Sequence, residues 1–581
     1  RVALYIWPVI EEPMDQISSI GNYIAPLTAG AGLEEVSLLA RLQERPGAVP
    51  KEVALRFSYR SGAGVVVKAT EPPTEPLKPL DEYTQKVQRS RARGTVYPYE
   101  LIPILTGEDG QFTEYDFDET GRLAPTNRPY GANRAGLIVG LVTTPTLRYP
   151  EGMTRVALFG DPTKALGTVA EAECSRVVAA IDLAEELGVP VEWFTLSSGA
   201  TISMDSGTEN MDWVSRALRR IITFTQAGGE INVIVAGINV GAQPYWNAEA
   251  TMLMHTKGIL VMTPDSAMVL TGKQSLDYSG GVSAEDNFGI GGYDRVMGPN
   301  GEAQYWAPNL TAACGILFAH YDHAYVAPGE RFPRRARTKD PVDRDVRGFP
   351  HVHPSSDFKT VGEIFSAETN PERKKPFDIR TVMHAVVDQD HPVLERWPDM
   401  AGAATSVVLA AHLAGHPITV IGIESRTISR KGWFPADGPD TWTSGTLFPM
   451  SSKKTARAIN AASGNRPVVV LANLSGFDGS PESLRNIQLE YGAEIGRAIV
   501  NFDGPIVFCV ISRYHGGAFV VFSGALNDNM EVLAVEGSFA SVIGGAPAAA
   551  VVFTREVDDR TGREAIIVTE IPYQVNKATL I

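Results

Sequence analysis

The sequence predicts an α/β fold made of two related domains behind an N-terminal lead-in segment. Three observations carry that reading: a length beyond one core, a repeated order of apolar runs, and one irregular stretch between the repeats. At 581 residues the chain exceeds the roughly 250 to 300 residues at which single cores stop growing. An apolar share of 44% beside a charged share of 20% is that of a folded globular chain.

The repeat emerges when apolar runs are aligned rather than identities. In the first half a helix-like stretch, SRVVAAIDLAEELG, ends at Gly188 and leads through Val189 and Pro190 into an apolar run closed by Ser198, Gly199 and Ala200. In the second half KKTARAINAASG ends at Gly464 and leads through Pro467 into VVVLANLSGF, closed by Ser475, Gly476 and Phe477. Each half continues with a longer helical stretch and a second buried-strand run that stops at glycine, INVIVAGINVGA in one and PIVFCVISRYHGGA in the other. Gly199 and Gly241 are 42 positions apart, and Gly476 and Gly517 are 41 apart. Strands alternating with helices imply parallel crossover units, whose ligand sites lie beyond the carboxyl ends of the strands.

The separating stretch runs from Arg331 to Lys359 and is rich in Pro, Arg and Asp, which marks an interdomain boundary. The expected organisation is a lead-in segment over 1–127, a first domain over 128–345, a second over 346–559, and an atypical tail over 560–581. Within the lead-in, the Pro-rich stretch Glu71 to Lys78 and the polar, acidic stretch Gly107 to Thr120 read as loops.

A net charge of −15 speaks against a general nucleic-acid coat, because phosphate binding is driven by clustered Lys and Arg. The longest apolar runs, such as Pro505 to Ile511, fall far short of the roughly 18 to 20 residues that span a bilayer. Neither nucleic acid nor membrane is an expected partner. Cys174, Cys314 and Cys509 form no CxxC pair and read as small buried hydrophobes in a reducing, cytoplasmic compartment. His320 and His323, and His351 and His353, lack the accompanying Cys or carboxylate spacing of a zinc site. They read as structural or solvated, and no metal is expected. The start at Arg1, without Met or a signal-like leader, suggests a piece of a longer polypeptide.

The glycines at the strand ends have two readings, a simple tight turn of the kind common at strand–helix junctions and a site that can carry chemistry. Where a strand ends in Gly-Gly or Gly-Ala, the backbone can take unusual torsions and nothing bulky blocks its amides. After Gly241 and Ala242 the apolar residues of QPYWNAEATMLMHTKG have helical spacing. The N–H groups there sit at a helix N-terminus, which favours developing negative charge. Two amides aimed at a thioester carbonyl would stabilise the enolate formed when the neighbouring carbon loses a proton, at about 3 kcal/mol for each donor.

Read in order, TVYPYELIP, RPYGANRAGLIVGLVTTPT, YPEG, SSGAT, IGIESRT, KTARAIN, LANLSGFDG and SVIGGAPAAAVVF resemble the carboxyltransferase domain of acetyl-CoA carboxylases. They are most similar to the fused long-chain acyl-CoA carboxylases of actinobacteria. The resemblance implies two crotonase-like α/β domains of the ββα-superhelix kind, the first holding coenzyme A and the second biotin. It also implies a site formed between two subunits, so at least a homodimer. In such enzymes carboxybiotin releases carbon dioxide, a biotin nitrogen takes the acyl α-proton, and the enolate captures the carbon dioxide. Two main-chain oxyanion holes assist, one at the thioester and one at the biotin urea oxygen.

Carried over by position, Gly241 and Ala242 match the glycine pair of the coenzyme A domain, and Gly517 and Ala518 that of the biotin domain. Arg426 matches the arginine of an ETRT-like motif, where a guanidinium can hold a carboxylate bidentately; a structural ion pair is the other reading of it. Gly476 and Phe477 match the turn shaping the biotin pocket, and Gly199 and Ala200 the turn near the thioester. His515 is expected to line the biotin pocket or to order its loop.

The sequence departs from the family pattern at Thr201, where SGAR is common, so a cationic contact near coenzyme A is absent or supplied from elsewhere. The end, Gly562 to Ile581, resembles a stretch of the DNA gyrase A subunit. The sequence contains no Met-Lys-Met biotinylation site and no ATP-grasp glycine segment. The expected activity is therefore the second half-reaction alone, on acetyl-, propionyl- or long-chain acyl-CoA. A biotin carboxyl carrier and a biotin carboxylase are the expected partners, and ATP and Mg are needed only by the latter. Two other readings are a related crotonase-like coenzyme A enzyme, such as a decarboxylase, and a non-catalytic scaffold within a carboxylase assembly.

Overall fold

The computed structural model describes residues 2–12, 16–17, 19–21, 23, 35–43, 45, 47–60, 64–73, 80–354, 356–430, 434–543, 553–557 and 564–568. It divides into two compact units, one of residues 1–318 and 327–329, the other of 319–326 and 330–581. Most of 562–581, the stretch expected as an atypical tail, and part of the motif at 541–553 lie outside the described residues.

The first unit opens with a four-stranded sheet, β1 (Val2–Ile10), β2 (Val36–Leu42), β3 (Lys51–Arg60) and β4 (Gly64–Thr70), in that spatial order. Val36, Leu38, Ala40, Leu42, Leu55 and Phe57 form its core. The lead-in therefore includes a sheet with a core of its own. The main sheet comprises β5 (Gln111–Phe117), β6 (Leu123–Pro125), β7 (Leu137–Thr144), β8 (Met153–Gly160), β9 (Val191–Ser197), β10 (Ile231–Val240), β11 (Leu260–Met262), β12 (Ala267–Val269) and β13 (Tyr305–Trp306). Its order is β13-β11-β10-β9-β8-β7-β5-β6, with β12 paired to β10. The acidic segment expected as a loop is β5. Its inward Glu114 and Asp116 are buried, and Arg128 pairs with both while Arg176 pairs with Asp116. Polar residues at strand period are thus buried as ion pairs, which composition alone conceals.

The second unit contains β14 (Leu394–Arg396), β15 (Ser406–Leu413), β16 (His416–Ile423), β17 (Ile428–Ser429), β18 (Thr441–Trp442), β19 (Thr446–Leu447), β20 (Val468–Leu474), β21 (Gly476–Phe477), β22 (Ile506–His515), β23 (Met530–Ala534) and β24 (Phe539–Ser541). Its main sheet has the order β14-β15-β16-β20-β22-β23, with β24 paired to β22. The segment 331–349 holds neither helix nor strand, in keeping with its Pro-rich composition.

The two units share one grammar. An antiparallel hairpin, β7/β8 or β15/β16, is followed by a helix, a parallel strand, a second helix and a further parallel strand. The first helices are Glu171–Leu187 and Pro449–Ala462, and the second are Glu209–Gln226 and Gln488–Val500. Gly188, at φ 65°, closes the first helix in a left-handed cap, the conformation glycine takes without a Cβ penalty. Pro449 at the first turn starts the other, where its missing N–H has no partner to lose.

The duplication extends to an irregularity. Val235 pairs with Thr195 and Asn239 with Ser197, so four residues of β10 oppose two of β9. Val510 pairs with Ala472 and Tyr514 with Leu474, the same offset between β22 and β20. Beyond this bulge each strand bends away to a new neighbour, β10 to β12 and β22 to β24, as bulges do when they re-aim a strand end.

Candidate active site

In the first unit the chain leaves β9 through Ser198 and Gly199, whose φ is 98°. The Val169 N–H donates to the Gly199 carbonyl at 2.9 Å, and the Thr201 N–H donates to the Val169 carbonyl at 2.8 Å. Val169 therefore bridges Ala200 in parallel fashion, and the alternation of a parallel ladder turns the N–H of Ala200 to the opposite side. Gly241 follows β10 with φ 68°, and its N–H donates to the Val269 carbonyl at 3.0 Å. Ala242 is the first residue of the helix Ala242–Thr251, so its N–H has no intrahelical acceptor. The two turns touch: a Cβ built on Gly241 would lie 3.8 Å from the Gly199 Cα, and one on Gly199 would lie 3.6 Å from the Val240 carbonyl oxygen. Beside them is a cavity of about 480 Å³ whose lining includes Ser197, Ser198, Val240, Gly237, Leu196 and Arg93.

The second unit repeats the arrangement. Ser475 N–H donates to the Gly445 carbonyl at 2.7 Å and Asp478 N–H to the Leu447 carbonyl at 3.0 Å, with Gly476 at φ 132°. Phe477 stands opposite Leu447 in a parallel pair, so its N–H faces away from that ladder, as the N–H of Ala200 does. A Cβ on Gly517 would come within 3.3 Å of the Phe477 ring, which places this turn against the Gly476–Phe477 turn.

Register adjusts one correspondence. Val240 pairs with Val269 as His515 pairs with Ser541. Gly516, at φ 58°, is thus the positional equivalent of Gly241, and Gly517 that of Ala242. A Gly-Gly doublet aligns with Gly-Ala in two ways, and apolar spacing selects the other one. Ala518 is fully buried inside the short helix Gly516–Val521.

Arg426 lies after β16. Its guanidinium pairs with Glu424 at 2.7 Å and with Asp378 at 3.1 Å, and it also contacts His353. Burial works against its charge, but the bond and charge of Glu424 with the charge of Asp378 prevail and hold its pKa above the ordinary value. His515 Nδ1 meets the Ser541 hydroxyl at 2.9 Å, and that hydroxyl donates to the Ile543 carbonyl at 2.6 Å. His515 therefore ties β22 to the segment after β24. Thr201 turns its hydroxyl to Thr168 Oγ1 at 3.2 Å, while Arg93 supplies a cation at the cavity wall, its Nη1 donating to the Pro162 carbonyl at 2.9 Å.

Sequence reasoning passed over Arg513, whose Nε donates to Asn473 Oδ1 and Nη2 to Ser444 Oγ, each at 3.0 Å. Burial pulls its pKa down. A cation inside a strand run of apolar residues leaves no periodic signal. A separate cavity of about 750 Å³ in the second unit is lined by Arg430, Trp442, Phe448 and Tyr491 among others and reaches none of the turn residues.

Cys174 and Cys314 are buried and Cys509 half-buried, and none forms a disulfide. Burial pushes the first two thiols up to about 12, which makes them inert at neutral pH. No helix among the described residues is long and apolar enough to cross a membrane.

The class is a duplicated α/β chain with glycine turns at matching strand ends of its two units. The model of the family described as Carboxyl transferase domain matches residues 92–577, and the chain belongs to that family. It is similar to an acetyl-CoA carboxylase of Saccharomyces cerevisiae, 24% identical over 571 residues that cover 82% of this chain and 25% of that protein. A mitochondrial acetyl-CoA carboxylase of the same species is 23% identical over 498 residues, covering 72% of this chain and 21% of that protein. The chain thus spans about a quarter of the length of these curated relatives. Among solved structures, the transcarboxylase 12S hexamer with hydrolysed methylmalonyl-coenzyme A bound superposes with a TM-score of 0.60 at 20% identity, covering 81% of each chain. That likeness shows a shared fold, the crotonase-like α/β architecture that the sequence resemblance implied.

Proposed function

We propose that the chain catalyses the carboxyl-transfer half-reaction of a biotin-dependent acyl-CoA carboxylase. The observation that carries this reading is the pair of glycine turns occurring twice, once in each sister unit, with equivalent register. In the first unit the N–H groups of Ala200 and Ala242 hold the thioester oxygen as it gains negative charge. The cavity beside Gly199 and Gly241 takes the acyl-CoA. In the second, the N–H groups of Phe477 and Gly517 hold the biotin urea oxygen. Gly241, Gly476 and Gly516 shape the turns, and Ala518 anchors the last one. Each donor of this kind is worth about 3 kcal/mol in the transition state.

Carboxybiotin supplies both the carbon dioxide and the base, so the chain itself needs no acid or base side chain at the reacting atoms. The family and its acetyl-CoA carboxylase relatives support a biotin carboxyl carrier and a biotin carboxylase as partners. In this reading 128–345 forms the coenzyme A side and 346–559 the biotin side, and two copies of the chain complete the site. Free, buried thiols support a reducing compartment, the cytoplasm by the simplest reading.

The test is decarboxylation of malonyl-, methylmalonyl- and long-chain carboxyacyl-CoA in the presence of free biotin. Biotin-dependent turnover of at least one thioester is expected. A correctly folded protein that turns over none of them would remove the proposal.

A further inference from the structure

The sequence pairs His320 with His323 by spacing, but the fold brings His323 to a different partner. His323 ends the helix Leu310–Ala324, and its ring centroid lies 4.7 Å from that of His412 on β15. Asp322, the preceding residue, places Oδ2 3.8 Å from His412 Nε2. Asp322, His323 and His412 each present one ligand atom, and these atoms all lie within 4.8 Å of one another. Among the described residues this is the group of His, Cys and acidic side chains with that geometry.

A second, independent feature marks the cluster. His323 is 1% exposed, and its Nδ1 lies 2.8 Å from the Ala319 carbonyl oxygen. A carbonyl only accepts, so Nδ1 carries the proton and Nε2 presents a lone pair. That Nε2 is buried and has no hydrogen-bond partner among the described residues. A backbone carbonyl fixing Nδ1–H, with Nε2 buried and without a hydrogen-bond partner on a ring beside a second imidazole and a carboxylate, is the supporting arrangement of a metal-ligating histidine.

His412 is equally well held. Its carbonyl accepts from the Asp388 N–H at 2.8 Å, and the Asp388 carboxylate takes the N–H groups of Ala414 and Gly415 at 2.7 and 2.6 Å. Asp322 is 36% exposed at the side chain whereas His412 is 0% exposed, so the carboxylate forms the solvent-facing mouth of the cluster. We propose that Asp322, His323 and His412 form a binding site for a borderline divalent transition-metal ion, with zinc as the reference ion. Two imidazoles and one carboxylate leave a coordination position for water. The Arg466 guanidinium also bears on His323, and it is tied to Thr419 Oγ1 and Asn465 Oδ1. The site therefore binds the ion against one neighbouring positive charge and with one carboxylate in its favour.

The test uses the full chain, stripped with chelator and dialysed against zinc alone, with bound metal counted by mass spectrometry. One equivalent per chain is expected. Asp322→Asn, at the exposed mouth, should weaken binding by at least about tenfold, on the scale seen for groups that support a metal site. His323→Gln should abolish it. Cobalt soaked into the same preparations should give visible absorption in the unsubstituted protein and lose it in Asp322→Asn. Should His323→Gln misfold, the Asp322→Asn comparison decides alone. Substoichiometric zinc in the unsubstituted protein, or equal affinity in Asp322→Asn, overturns the proposal.

Discussion

Gly241 and Gly516 occupy the same register position in the two sheets, each two residues beyond the second pair of an identical bulge and each at positive φ. A side chain at either position meets the left-handed penalty of about 1 to 2 kcal/mol. Gly517 is different. Its φ is ordinary, but a Cβ there would press on the Phe477 ring at 3.3 Å. Gly516→Ala is expected to lower stability by about 1 to 2 kcal/mol. Gly517→Ala should leave stability within about 0.5 kcal/mol while displacing Phe477 and cutting biotin-dependent turnover at least about tenfold. Urea denaturation and the decarboxylation assay measure the two effects separately, and equal stability losses would show that the turns are not arranged as described.

Arg426 faces Glu424, whose side chain is 0% exposed. Removing the guanidinium leaves a buried carboxylate without its partner, which costs about 3 to 5 kcal/mol. Arg426→Ala is therefore expected to fail first as a stability variant, with a lowered urea midpoint. The double variant Arg426→Met with Glu424→Gln should recover most of that loss. If the double variant regains stability but not turnover, Arg426 also serves the reaction; if both return, its role is structural.

How far the sequence foretold this structure depended on the kind of signal. The helix closed by Gly188, the strand Ile231–Val240 and the duplicated order of elements were readable, because apolar period and glycine caps are local properties. β5 was not, since Glu114 and Asp116 look like loop residues until Arg128 and Arg176, distant in sequence, neutralise them. The turn residues Gly199, Gly241 and Gly476 were readable from glycine at strand ends, whereas the choice between Gly516 and Gly517 needed the ladder register. His412 carried no motif with His323 because 89 positions separate them and only the packing of a helix end against β15 brings them together.

Arg93 stands at the wall of the cavity next to Ser197 and Ser198, where Thr201 provides no charge. If it contacts the phosphates of coenzyme A, it binds ground state and transition state alike. Arg93→Ala should then raise KM for the acyl-CoA about fivefold to tenfold with kcat little changed, the pattern of lost uniform binding. The increase should shrink in high salt, since a cation at a solvent-accessible wall is screened. An unchanged KM at low salt would remove Arg93 from the binding site.

Lys454 sits on the helix Pro449–Ala462 at 2% exposure, with Nζ donating to the Trp397 carbonyl at 3.1 Å. Burial is the largest influence and pushes its pKa down to about 7, outweighing the attraction of Glu395. In the unfolded chain the same amine titrates near 10.4. Between about pH 7 and 10.4 the unfolded chain holds a proton that the folded chain has released, so stability rises with pH across that window. Below pH 7 both states are protonated and the slope from this group vanishes, while the burial cost of the charge is fully present. The expected contribution is up to about 1.4 kcal/mol per pH unit, read as a rising urea midpoint from pH 7 to 9.5. Lys454→Met should flatten that rise, with the variant gaining on the unsubstituted protein most at pH 7 and least at pH 9.5. Parallel curves for the two proteins would mean that the amine stays charged in the fold, held by Glu395 and not by the Trp397 carbonyl alone.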